Sequence, residues 1–116
     1  MNYIDGFLIP VRTTDREIYR AHEAKWWPMF QKHGALSLVV GWGDEVPAGK
    51  QTDFLRAVDL KDDETVAFCW MTWPDKDTRN KAFAAIETEM RKEMNMPFDG
   101  RRVVLGGFVP ILQEGR

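Results

Sequence analysis

Cysteine is almost absent from this 116-residue chain: Cys69 stands alone, so no intrachain disulfide can form. The opening Met1-Asn2-Tyr3-Ile4-Asp5 lacks the basic and long apolar regions of a secretion signal, and a reducing cytoplasm is the expected setting. Long apolar runs are missing too. None approaches the roughly 20 residues a membrane-spanning helix needs. Neither charge dominates, because 16 Lys and Arg are scattered among 18 Asp and Glu for a net charge of −2. Without a basic stripe to neutralise phosphates, no nucleic-acid partner is expected. His22, His33 and Cys69 show no metal-ligand spacing, and no resident metal or cofactor is expected. Gly106-Gly107-Phe108 lacks the Lys-Ser/Thr and the strand-to-helix context of a phosphate loop. No linker, repeat or low-complexity stretch divides the chain, so residues 1–116 are expected to form one domain.

What is abundant is tryptophan, five in all, at positions 26, 27, 42, 70 and 73. Each ring must find a large apolar surface and a partner for its N–H. Tyr3 to Val11 reads as a strand. Thr14 with Glu17 forms a capping-box signature ahead of a helix from Asp15 to His33. On that helix Ile18, Tyr19, Trp26, Met29 and Phe30 recur on one face, with Arg16, Arg20, Glu23 and Lys32 mostly turned elsewhere. Ala35 to Val46 is β-rich, with Gly41 and Gly43 predicting a bulge or bend. After the turn Pro47-Ala48-Gly49-Lys50, Thr52 to Leu60 reads as the second strand of a hairpin. Thr65 to Trp73 follows as a central strand. A second helix runs from Asp75 or Asp77 to about Glu93, with Ala82, Phe83, Ile86, Met90 and Met94 on one face; Arg102 to Leu112 is the last strand. The order β-α-β-β-β-α-β predicts an α+β ferredoxin-like sandwich, with an antiparallel sheet and both helices on one face.

A sheet of that kind exposed to water should alternate apolar and polar residues. These strands do not. Ile4, Leu8 and Pro10 oppose Phe7, Ile9 and Val11; Val66, Phe68 and Trp70 oppose Ala67, Cys69, Met71 and Trp73; Val104 and Phe108 oppose Val103, Leu105 and Val109. The second apolar face exceeds what a monomer leaves in water, so a homodimer through that face is expected. Trp70 and Trp73 fall on opposite faces. One set of tryptophans therefore packs under the helices with Trp26, and the other helps to bury the partner.

The strings Trp42-Gly43-Asp44, Thr52-Asp53-Phe54, Arg56-Ala57-Val58, Met96-Pro97-Phe98-Asp99-Gly100 and Gly106-Gly107-Phe108, with the opening Tyr3-Ile4-Asp5-Gly6-Phe7, resemble the YbaA-like family of bacterial domains of unknown function. The resemblance runs over essentially the whole chain. It implies the dimeric α/β-barrel superfamily, in which two ferredoxin-like sheets pack together, and whose members include small monooxygenases, haem-degrading enzymes, isomerase-like proteins and stress-responsive dimers. Fold alone does not choose among these.

His22, four residues after Ile18 and four before Trp26, is the first candidate for acid or base chemistry in a cavity between helix and sheet. The plainer reading is a histidine at the core edge, hydrogen-bonded to a neighbour. Asp53 and Arg56, with Asp44 on the adjoining arm, are candidates to bind an anion or move a proton, or to form a structural ion pair. Asp5 on its apolar strand needs a partner, for which Arg102 or Arg56 is expected. His33 reads as a helix cap, Cys69 as an inert core residue, and Met90, Met94 and Met96 as pliable packing. Trp26, Trp42 and Trp70 are the expected lining of a ligand cavity. The functional expectation is a small apolar or aromatic ligand, bound or transformed without a cofactor in a monooxygenase- or isomerase-like way. The alternative is a non-catalytic structural or stress-related interaction dimer.

Overall fold

The computed structural model describes residues 2–93 and 96–115, so Met94 lies outside the described residues. Four strands, β1 (Tyr3–Arg12), β2 (Ser37–Trp42), β3 (Glu64–Trp73) and β4 (Val104–Phe108), form one sheet in the order β2-β3-β1-β4. Every adjacent pair is antiparallel. Helices α1 (Arg16–Lys32) and α3 (Lys76–Arg91) cover one face, and a four-residue helix α2 (Phe54–Ala57) lies in the connection between β2 and β3. This is the ferredoxin-like α+β architecture.

The predicted fifth strand is absent: Thr52 to Leu60 is loop and the helix α2. Its residues suit a strand, but Asp53 caps the helix, accepting from the Arg56 N–H at 2.7 Å and from the Gly49 N–H at 2.9 Å. The observed order of the sheet-forming core is therefore β-α-β-β-α-β. The capping box at Thr14 does not form either. Thr13–Asp15 makes a single 3-10 turn, Thr13 Oγ1 donates to the Asp63 carbonyl, and Arg12 holds the Asp15 carboxylate at 3.1 Å. Glu17 instead accepts from Arg20. Asp75 does cap α3, accepting from the Thr78 N–H at 2.7 Å.

Two strands are shorter than expected. β2 ends at Trp42, where the bend predicted at the glycines occurs: a Cβ on Gly43 would lie 2.9 Å from the Val66 carbonyl oxygen. β4 stops at Phe108, which pairs with Ile4 near the start of β1, and Pro110 has no N–H to extend the ladder. Gly107 is the close approach expected there, since a Cβ would run into the Tyr3 hydroxyl. Gly34 turns the chain from α1 to β2 at φ 109°, a left-handed conformation that favours glycine.

On the helix side the core has two parts. Tyr3, Phe30, Met71, Trp73, Ala82 and Ile86 form one; Ile9, Val11, Tyr19, Ala67 and Cys69 form the other. On the other side the strands present Ile4, Leu8, Phe68, Trp70, Val104 and Phe108, and Phe54 of α2 stacks edge-on against Phe68 at 5.8 Å. Phe68 is 45% exposed and Phe108 61%. The side chains enclose a shallow apolar groove of about 540 Å³. Beyond β4, Val109, Ile111 and Leu112 are exposed as well. No helix among the described residues is long and apolar enough to cross a membrane.

Candidate functional site

Helix α1 places Tyr19, Glu23, Trp26 and Phe30 at spacings of four, three and four, the periodicity of a stripe facing the sheet. Tyr19 and Phe30 are buried there, whereas Ile18 is exposed, contrary to its expected place on the apolar face. Glu23, expected to turn away, occupies the stripe.

Between α1, the sheet and residues 96–103 lies a cavity of about 260 Å³. Phe7, Ile9, Cys69 and Met71 form its floor, Trp26 and Phe30 one wall, and Phe98 and Val103 the other. His22 and Glu23 are its polar side chains at neutral pH. Both His22 ring nitrogens are buried and find no hydrogen-bond partner among the described residues; the nearest charged oxygen, Glu23 Oε1, is 3.6 Å from Nδ1. The hydrogen-bonded neighbour expected of His22 on the plainer reading is not found among the described residues. Phe98 meets the imidazole edge-on at 6.0 Å.

Burial lowers the pKa of His22, opposed by the charge of Glu93 and aided by that of Lys25, so the ring is held neutral. Burial pushes the Glu23 carboxyl up to about 7. Outside the cavity, the Tyr19 hydroxyl lies 3.2 Å from the sulfur of the floor residue Cys69. Burial pushes the Cys69 thiol up to about 11 and raises the Tyr19 phenol as well. Both stay protonated at neutral pH, so Cys69 is not a nucleophile.

Of the other residues expected in a site, Trp26 joins His22 at the cavity, and Trp42 and Trp70 do not. Trp42 packs against Tyr19 at 6.3 Å with the Arg16 guanidinium over its ring at 5.9 Å. Trp70 points to the opposite face of the sheet, beside Phe68 at 5.6 Å. Trp73 is the fully buried one under the helices. Asp53 and Arg56 stand apart from the cavity, joined at 3.6 Å in the α2 connection. The backbone N–H groups of Arg56 and then Gly49 lower the Asp53 pKa. Asp44 lies in the loop after β2, and His33 is the C-terminal cap residue of α1.

Asp5 pairs with Arg79 of α3, not with Arg102 or Arg56. Arg102 is instead a tie between segments. It donates to Glu64 at 2.7 and 2.8 Å, to Asp99 at 3.1 Å and to the Val58 and Asp59 carbonyls. Among the described residues no three His, Cys, Asp or Glu side chains are grouped to hold a metal ion.

The family model described as "Protein of unknown function (DUF1428)" matches residues 2–100. The protein named Uncharacterized protein YbaA in Escherichia coli strain K12 is 41% identical over 117 residues, covering 98% of this chain and all of the relative. The protein of the same name in Shigella flexneri is similar to the same extent. Among solved structures, a dimeric ferredoxin-like protein from an uncultured marine organism superposes with a TM-score of 0.65 at 10% identity, covering 98% of this chain and 100% of the other. At that identity the likeness bears on fold alone.

Proposed function

The chain belongs to the DUF1428 family of proteins of unknown function, and on that premise we propose that it is a cytoplasmic homodimer whose helix-side cavity binds one small, largely apolar molecule. The observation that carries the ligand reading is the cavity itself, about 260 Å³ of largely apolar space whose wall carries the Glu23 carboxyl and the His22 ring. Burial pushes the Glu23 carboxyl up to about 7, and a ligand group that pairs with it relieves that desolvation. Size narrows the ligand. Pockets for drug-sized molecules begin at about 300 Å³, and a dry cavity of about 150 Å³ accommodates benzene, so the 260 Å³ here fits a single ring with a short substituent rather than a haem or a nucleotide. Any chemistry on that ligand, isomerisation or oxygenation included, falls to His22 and Glu23. Toluene and benzyl alcohol are expected to raise the melting temperature of the protein, and a flat response to both would reject the ligand reading.

The dimer is supported by the exposed aromatic groove opposite the helices, an apolar surface that a second copy of the same sheet would cover, and by the dimeric state of the marine ferredoxin-like protein. Phe68→Asp puts a charge at the centre of that groove and is expected to give a folded monomer at micromolar concentration where the parent is a dimer. Light scattering reads the mass directly, and a monomeric parent sinks the proposal.

A further inference from the structure

Every strongly buried carboxylate away from the cavity has an arginine: Asp5 has Arg79 at 2.8 Å, Asp53 has Arg56 at 3.6 Å, and Glu64 has Arg102 at 2.7 Å. Glu23, with its side chain 23% exposed, has none. Its neighbour on the helix, Arg20, is engaged by Glu17 at 2.6 Å, and Lys25 is paired with Glu93 at 3.5 Å. Among the described residues the Glu23 carboxylate accepts no hydrogen bond, and its nearest potential cation is His22 at 3.6 Å. Among the described residues no lysine or arginine lines the cavity.

An acidic group without a counter-ion among the described residues and the rings of Phe7, Trp26, Phe30 and Phe98 together complement a cation on an apolar body. We propose that the cavity binds a small primary amine in its protonated form, with the ammonium group donating to Glu23 while the hydrocarbon body fills the aromatic end. This deepens the ligand reading above and rests on it. The choice of cation follows from charge: the site lacks the positive group that a carboxylate or phosphate ligand needs, and a neutral ligand would leave the Glu23 carboxylate uncompensated when ionised. A protonated amine supplies the missing counter-charge.

Benzylamine, benzyl alcohol and benzoate share one ring and differ in the charge of the substituent, so calorimetric titration of the intact protein with the three at pH 8 isolates the charge. Benzylamine is expected to bind at least about tenfold more tightly than benzyl alcohol, and benzoate more weakly than either. Glu23→Gln is expected to retain the alcohol and lose the amine preference. Equal affinities for amine and alcohol in the parent, or an undiminished preference in Glu23→Gln, overturns the amine proposal while the cavity reading stands. Failure of all three to bind overturns both.

Discussion

Asp5→Ala is expected to lower stability by about 3–5 kcal/mol, because it removes one partner of a buried ion pair and leaves the other. Asp5 is 1% exposed on β1. Its carboxylate accepts from Arg79 Nη2 at 2.8 Å, from Arg79 Nε at 3.1 Å and from the indole N–H of Trp73 at 2.9 Å. Truncation strands the guanidinium, whose side chain is only 19% exposed, and leaves an N–H unpaired on a fully buried tryptophan. For a chain of this length the melting temperature should fall by roughly 10–20 °C. Arg79→Met alone should cost a similar amount, since it strands the carboxylate. The pair Asp5→Leu with Arg79→Met should lose much less than the Asp5→Leu and Arg79→Met single losses summed. Urea denaturation of the four proteins measures the coupling, and additive losses would reject the pair as the cause.

Glu23→Gln works in the opposite direction. Burial raises the Glu23 pKa to about 7 from an ordinary 4.5, so between these pH values the folded protein keeps a proton that the unfolded chain releases. Each step up in pH across the window therefore favours unfolding. Below pH 4.5 both states are protonated and the residue costs nothing by this route; above pH 7 the cost is complete, at about 2–3 kcal/mol. The glutamine variant should match the parent near pH 4.5 and melt about 5–15 °C higher at pH 8. Scans at a single protein concentration check this, because any linked association makes melting depend on concentration. A variant no more stable than the parent at pH 8 would show that the carboxyl is not penalised by burial.

Much of the fold was legible in the sequence because its signals are local and agree with one another. Tyr3 to Val11 and Thr65 to Trp73 are β-prone throughout, Asp75 is a good helix cap, and the two apolar faces follow from counting alternate residues. Thr52 to Leu60 was misleading because a β-prone string can be overruled by one cap, and the cap needs Gly49 folded back onto Asp53 to form. Glu23 was visible in principle. Tyr19, Glu23, Trp26 and Phe30 lie at helical spacing, but a charged residue is ordinarily read as facing water, and only the cavity shows why this one does not. The partner of Asp5 could not be read at all, because Arg79 comes within reach only after α3 has crossed back over the sheet.

The two-sided apolar sheet also changes how the strands find one another. In an ordinary half-wet sheet a one-residue slip throws the apolar set into water, and that penalty enforces the pairing. Strand β1 carries little such penalty, since Ile4, Leu8 and Pro10 could trade places with Phe7, Ile9 and Val11 at small hydrophobic cost. Asp5 restores it, because a slip would carry the carboxylate to the side of Phe68 and Trp70, away from Arg79 and from the Trp73 N–H. Hydrogen exchange on the Asp5→Leu, Arg79→Met protein tests this: we expect uneven protection along β1 and β4, and native protection throughout would contradict it. The ion pair then acts during folding as a proofreader, rejecting misaligned sheets that oil-like forces alone would accept.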